Sequence, residues 1–289
     1  MSLPALPAGA CDCHVHVIGD PARYPMAAGR PYTPGPATPQ DLRRHMAGLG
    51  LERAVIVQPS IYGTDNQCLL DGLRALDGAG RGVAVLDAAA PSPVLHGLHG
   101  LHAQGIRGVR INLESTGRSD AQSIRDELAS WARRLAPFGW HLQVYASLDA
   151  IAAAAPSLAS LPVPVVLDHF AMIPAGTAPQ DRRVQAVLSL VAQGAAYVKL
   201  SAPYRIDPLA AAPEAVAALA AAFIAGNPDR ILWASDWPHT SREPGKAATE
   251  VSAYRQVGSG RLVQGIAAWL PQAVRTRVLV DNPARLYGF

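Results

Sequence analysis

Two histidines one residue apart, His14 and His16, follow the run Ala10-Cys11-Asp12-Cys13 near the start of the chain. On a strand, residues two apart project to the same side, so both imidazoles aim into one space. Counting by twos places Asp12 on that side as well, one pleat further back. Far downstream, Ile231-Leu232-Trp233-Ala234-Ser235-Asp236 ends a second apolar run with a carboxylate. In an eight-stranded barrel the first and last strands are neighbours, and Asp236 then meets the histidine pair. A carboxylate beside imidazoles suits water activation or the ligation of a divalent cation.

The elements that must position these groups alternate. Strand-like segments run over Ala10–His16, Ala54–Gln58, Gly82–Leu86, Gly108–Asn112, His141–Ala146, Pro164–His169, Ala196–Leu200 and Arg230–Ala234. Between them lie segments with helical spacing, such as Leu42, His45, Met46 and Leu49, or Leu128, Trp131, Ala132 and Leu135. Asp65 is placed to cap a helix through Leu70 and Leu73, and Pro213 sits where a first helical turn accepts proline. Repeated β-then-α units predict a parallel sheet with crossover helices. Eight of them predict an α/β fold, a (β/α)8 TIM barrel with its active site at the C-terminal ends of the strands; a doubly wound open sheet is the alternative. The stretch Pro21–Pro39 is too long for an ordinary connection and is expected to wall or cover the mouth. No linker-like break or internal repeat interrupts the pattern, so residues 1–289 are read as one domain.

Composition narrows the function classes. The 289 residues are 49% hydrophobic and 16% charged, enough to bury a large core. A formal net charge of +3 without a basic block gives no case for nucleic acid and only a slight preference for anionic small molecules. Three cysteines, two of them separated by one residue, make no disulfide framework, and a reduced cytoplasmic setting is expected. The chain opens without the pattern of a signal peptide. Its longest apolar stretch, around Ala215 to Ala225, falls short of a membrane span.

The ordered set of motifs resembles the amidohydrolase superfamily. It comprises His14-Val15-His16, Asp168-His169 after Val165-Val166-Leu167, and Ala234-Ser235-Asp236-Trp237-Pro238-His239. Further pieces are similar to the branch containing 2-pyrone-4,6-dicarboxylate lactonase and sugar-lactone hydrolases: Pro31–Pro34, Gln58–Ser60, Arg107–Asn112, Lys199–Arg205 and Asp281–Tyr287. The resemblance implies a bacterial catabolic enzyme that hydrolyses a small, carboxylated lactone. Asp236 would take a proton from water, and His14, His16 and His169 would polarise the carbonyl. Arg110 and Arg205 would clamp carboxylate, with Tyr145, Ser60 and Tyr32 as neutral partners. Metal-dependent relatives place a histidine on the fifth strand. Here that strand reads His141-Leu142-Gln143-Val144-Tyr145, with His141 at the end away from the mouth. The resemblance therefore implies no metal and no cofactor. Two alternatives stay open: a metal-dependent hydrolase or decarboxylase using His14, His16 and Asp236 as ligands, or a lactone isomerase. The expected partner is the lactone alone, with or without assembly as a homo-oligomer. A further arginine after the fourth strand is replaced by Asn112–Arg118, where only Arg118 offers a substitute, out of register.

Other polar residues have plainer readings. Asp168 is one residue off His169 and is assigned to the helix side of the barrel. Cys11 and Cys13 are assigned to the outer helices, and Arg107 to the surface. His96, His99 and His102 flank Leu95, Leu98 and Leu101 as the solvated edge of a buried stripe. Tyr204 is read as a loop anchor.

Overall fold

The computed structural model describes residues 5–87, 93–113 and 121–289. Eight parallel strands hydrogen-bond in chain order: β1 (Cys11–Val15), β2 (Arg53–Val57), β3 (Gly80–Ala84), β4 (Ile106–Asn112), β5 (His141–Tyr145), β6 (Val165–Leu167), β7 (Ala196–Leu200) and β8 (Ile231–Trp233). Parallel neighbours require crossover connections. These are built around α1 (Pro39–Leu49), α2 (Gln67–Ala75), α3 (Pro93–Ala103), α4 (Ala121–Leu135), α5 (Leu148–Leu158), α6 (Arg182–Ala192) and α7 (Pro213–Gly226), with α8 (Ser259–Trp269) after β8. The architecture is the (β/α)8 barrel, and each expected strand is present within a few residues of its predicted bounds.

The seam between β8 and β1 closes at the mouth. The carbonyl of His14 accepts from Asp236 N at 3.0 Å, and that of Trp237 accepts from His16 N at 2.8 Å. Below these bonds the Asp12 carboxylate stands in for a ladder partner, its Oδ1 accepting from Ser235 N at 3.0 Å and His14 N at 3.2 Å.

Strand alternation sorts side chains into two cores. One phase, including Ile56, Val144, Val198 and Trp233, packs against the helices. The other, including Cys11, Cys13, Val55, Val57, Val166, Tyr197 and Leu232, fills the barrel with Tyr287. Two expectations fail here for one reason. On β1, Asp12 pairs with Ala54 but Val15 with Ile56, so one extra residue enters between them. Such a bulge breaks the two-residue period. Cys11 and Cys13 therefore face the barrel interior, not the outer helices, while His14 and His16 still point inward. Asp12 does not join them. It faces α1, where His45 Nε2 lies 3.4 Å from its Oδ2.

The helices follow their sequence signals. Thr38 and Asp41 form a reciprocal capping box at the start of α1, whose apolar face buries Leu42, Met46 and Leu49. The predicted stripe Leu128, Trp131, Ala132 and Leu135 is buried on α4. Asp65 does serve the start of α2, its carboxylate accepting from Gln67 N at 3.0 Å, and α7 begins at Pro213. On α3, Leu98 is buried and His99 exposed, while His102 accepts a hydrogen bond from Trp140 Nε1. Arg107 is half-buried and held by backbone carbonyls. No described helix is long and apolar enough to cross a membrane.

The long segment after β1 does meet the connection after β8. Thr33–Pro34 pairs in parallel with Val251–Ser252, and Thr33 Oγ1 donates to the Ala248 carbonyl at 2.7 Å. The Tyr254 hydroxyl donates to the Gly35 carbonyl, which ties the two loops together a second time.

Candidate active site

Three strand ends deliver one cluster. Asp236 Oδ1 lies 3.7 Å from His14 Nε2, 3.7 Å from His16 Nε2 and 3.9 Å from His169 Nε2. All four side chains are buried. Left-handed backbone turns aim two of them: Asp236 has φ 64°, and His169 opens a run of four residues, through Met172, with φ between 49° and 55°. Non-glycine residues in this region cost on the order of 1–3 kcal/mol each and gather where function over-determines the backbone.

The two oxygens of Asp236 differ. Oδ2 accepts from the Tyr204 hydroxyl at 2.8 Å, from Arg205 Nε at 3.0 Å and from Arg205 Nη2 at 2.6 Å. Oδ1 is buried with no hydrogen-bond partner among the described residues. Burial alone would push this carboxyl up. Arg205 and the histidines outweigh it and hold the group well below the usual carboxylate range. One oxygen is anchored, and the other is presented to the imidazoles.

Each histidine is held by its other ring nitrogen. His16 Nδ1 lies 2.7 Å from the Val57 carbonyl. A carbonyl only accepts, so the ring donates there, and in its neutral form offers Nε2 as a lone pair. His14 Nδ1 lies 3.2 Å from Asp168 Oδ1, which assigns the same tautomer. Burial pushes His14 down to about 3, so the ring is neutral. His169 Nδ1 meets Ser201 Oγ at 2.9 Å. A hydroxyl donates or accepts, so His169 is free to carry its proton on Nε2.

These lone pairs also satisfy the requirements of a cation site. His14 Nε2 is buried without a partner, as is Asp236 Oδ1, and ligand atoms from His14, His16 and Asp236 all fall within 4.8 Å of one another. Imidazole nitrogens whose far sides are hydrogen-bonded to carbonyl and carboxylate are what a divalent transition metal selects. The mouth end of β5 contributes Gln143 and Tyr145 in place of an imidazole.

The expected substrate-binding residues divide. The Tyr145 ring meets His169 edge-on at 5.3 Å, with the guanidiniums of Arg110 and Arg205 over its face at 5.2 and 5.9 Å. Tyr32 reaches the same region from the loop after β1, near Thr240 and within range of the charges of Arg205, Asp236 and Arg110. Ser60 stands apart, lining a cavity of about 200 Å³ with Gln58, Arg110 and Asn112. Arg118 lies outside the described residues.

The structure adds residues that the sequence reading missed or misplaced. Asp168 is inside the barrel, not on its helix side. Its Oδ1 meets His14 Nδ1 and, at 3.4 Å, Lys199 Nζ; its Oδ2 accepts from Gln143 Nε2 at 3.1 Å and Arg110 Nε at 3.3 Å. Burial would raise Asp168, but Lys199, His14 and Arg110 outweigh it and hold the carboxyl well below its usual range. Lys199, fully buried in the middle of an apolar strand, was the available signal. Tyr204 is more than a loop anchor, because its hydroxyl fixes Asp236.

Comparison with known proteins agrees with this architecture. A family model described as amidohydrolase matches residues 11–289. The chain is 31% identical over 287 residues to a 4-sulfomuconolactone hydrolase of Rhizobium radiobacter, covering 98% of this chain and 91% of that protein. It is 32% identical over 294 residues to a 2-pyrone-4,6-dicarboxylate hydrolase of Comamonas testosteroni, with the same coverage of 98% and 91%. Among solved structures, an apo protein of Agrobacterium tumefaciens superimposes with a TM-score of 0.82 at 27% identity, covering 99% of this chain and 98% of that one.

Proposed function

Because the chain belongs to the amidohydrolase family, we propose that it is a lactonase, opening the ring of a small carboxylated lactone by attack of water. The observation that carries this reading is Asp236 Oδ1, unpartnered and faced by three imidazole Nε2 atoms while Oδ2 is saturated. Water oxygen bonds to the lactone carbonyl carbon as its proton passes to Oδ1. The tetrahedral intermediate then collapses, the ring C–O bond breaks, and the departing oxygen takes the proton back. His169 with its proton on Nε2 is suited to donate to the developing oxyanion; His14 and His16, bare at Nε2, cannot polarise the carbonyl as expected, and one of them accepts the second proton of the attacking water. A donor placed at the oxyanion is worth about 3–4 kcal/mol.

Charge supports an acidic substrate. Among the described residues inside the barrel, Arg110, Arg205 and Lys199 stand against the carboxylates of Asp168 and Asp236, one cation in excess. Guanidiniums match carboxylates in two-point geometry, so Arg110 and Arg205 are assigned to the substrate's anionic group. Tyr145 and Tyr32 serve as neutral partners, and Ser60, set apart, is left out of that role. The relatives named above for sulfonated and dicarboxylate lactones fit this chemistry.

The proposed reaction uses no metal. The bare Nε2 atoms of His14 and His16 beside Oδ1 favour a second reading, in which those residues and Asp236 hold a divalent cation with His169 nearby. Such an ion would supply Lewis acidity for the carbonyl. A pH-indicator screen of pyrone, muconolactone and aldonolactone acids, each with its methyl ester, tests the proposal. Acid release from the carboxylated compounds, a product heavier by one water, survival of prolonged chelation and well below one metal per chain are expected. Loss on chelation restored by zinc or manganese would bring the second reading forward. A product of unchanged mass would mean isomerisation, and no turnover of any lactone would remove the lactonase reading.

A further inference from the structure

Beneath the site lies a closed network that the proposed reaction does not use. Lys199 Nζ, fully buried, donates to Gln143 Oε1 at 2.7 Å and lies 3.4 Å from Asp168 Oδ1. Gln143 Nε2 returns to Asp168 Oδ2, so both ends of the amide are fixed. His14 Nδ1 sits between the two charges, 3.2 Å from Asp168 Oδ1 and 3.3 Å from Lys199 Nζ. Stability does not account for this pair, since replacing a buried ion pair by apolar groups is often neutral or stabilising. Its position against a site histidine does.

We propose that Lys199 and Asp168 act as a positioning pair that fixes the ring plane and tautomer of His14. Of the two possible Nδ1 contacts, a bare Nδ1 would turn its lone pair against a carboxylate at 3.2 Å. A protonated Nδ1 donates to that carboxylate, while the ammonium keeps Gln143 and Asp168 as its acceptors. Lys199 thus holds the Asp168 oxygen in register with His14, and Nε2 is delivered bare to Asp236 Oδ1. Loss of Lys199 leaves Asp168 Oδ1 with His14 alone, while Oδ2 keeps Gln143 and Arg110, so the carboxylate is free to turn out of register with the ring.

The inference bears on the proposed reaction, but its deciding readout does not need turnover. Nitrogen NMR of the ¹⁵N-histidine-labelled full-length protein distinguishes protonated from bare ring nitrogens, with His14 assigned by its loss in His14→Gln. In the wild type, His14 is expected to show a protonated Nδ1. In Asp168→Asn the carboxamide can donate to Nδ1, so the proton should move to Nε2; in Lys199→Met the two tautomers should mix. With a substrate in hand, both variants should lose about 10–100-fold in kcat, the loss that follows when a metal-ligating histidine loses the partner that orients it, with KM changed less than 3-fold. If Lys199→Met fails to fold, Asp168→Asn and the Lys199→Met/Asp168→Asn double variant decide. An unchanged His14 tautomer in the folded variants would overturn the proposal whether or not any lactone is hydrolysed. A shifted tautomer with no lactone activity would support it and count against the lactonase reading alone.

Discussion

Two histidines inside this barrel share their burial and differ in everything else. His14 on β1 and His141 on β5 are both fully buried, and burial pushes each down to about 3. His14 has Nδ1 against Asp168 and Nε2 facing Asp236 Oδ1. His141 lies over Gly108, where a Cβ would come within 2.3 Å of its ring, and meets Tyr287 edge-on at 5.2 Å. Neither of its ring nitrogens has a hydrogen-bond partner among the described residues. Burial makes a histidine neutral, but a partner on one nitrogen is needed to aim the lone pair of the other. The mouth of the barrel has those partners and the floor does not.

The largest effect should come from the group His14 faces. Asp236→Asn keeps the shape and the contact with Tyr204 but removes the proton acceptor. kcat should fall by about 100–10,000-fold, the usual range for a lost general base. Circular dichroism and binding of a ring-opened product should stay near wild type. Retention of more than a tenth of wild-type kcat would take Asp236 out of that role and leave His14 and His141 with no functional contrast.

A smaller loss should follow at the two arginines. Arg110→Met and Arg205→Met should each cost about 1.5–3 kcal/mol in kcat/KM for a carboxylated lactone, the worth of a hydrogen bond to a charged group. The loss should shrink on the matched methyl ester. His169→Asn should penalise acid and ester alike, because the carbonyl is common to both. Equal losses on both substrates for the arginine variants would make these residues structural, with Arg110 serving Asp168 and Arg205 serving Asp236.

How much of this contrast could be read from the sequence depended on where strand alternation held. The eight strands, the histidine pair and Asp236 were legible because apolar runs and their punctuation are local signals. The phase of Asp12, Cys11 and Cys13 was not, because one inserted residue on β1 reverses the count and no residue type announces it. Counting from His169 puts Asp168 on the wrong side of the strand. His169 has already left the strand on a left-handed turn, so Asp168 holds the inward position next to Val166. Lys199 and Tyr204 gave a signal in type but none in partner. Their meaning lies in contacts with residues more than thirty positions away.

Acid should act on both histidines in the same direction. A ring whose folded pKa is depressed contributes stability that is present above the unfolded value near ~6.5 and lost as pH falls toward the folded one. Between about pH 6 and 4 the unfolded chain binds protons at His14 and His141 that the folded chain refuses. Each then removes up to about 1.4 kcal/mol of stability per pH unit. Asp168 and Asp236, held low when folded, extend the loss below about pH 4. Urea midpoints should therefore fall steadily below pH 6.5. A flat profile from pH 6.5 to 4.5 would mean that neither histidine stays neutral, and the shared half of the comparison would fail.

The smallest effect isolates the other half. His141→Leu exchanges a ring with two unpartnered nitrogens for an apolar side chain of similar reach over Gly108. Leaving a buried polar atom unpaired costs about 1–3 kcal/mol, whereas an apolar replacement of similar shape is close to neutral. Stability at pH 7.5 should stay within about 1 kcal/mol of wild type or rise, with loss of packing against Tyr287 offsetting part of the gain. The acid slope of stability should lose one proton's worth, and kcat/KM should remain within about 2-fold, since the mouth is untouched. A 10-fold loss of kcat without a matching loss of stability would show that the floor of the barrel is coupled to the site through Lys199. His141 would then have to be counted with His14, as part of one proton-bearing column running the length of the barrel.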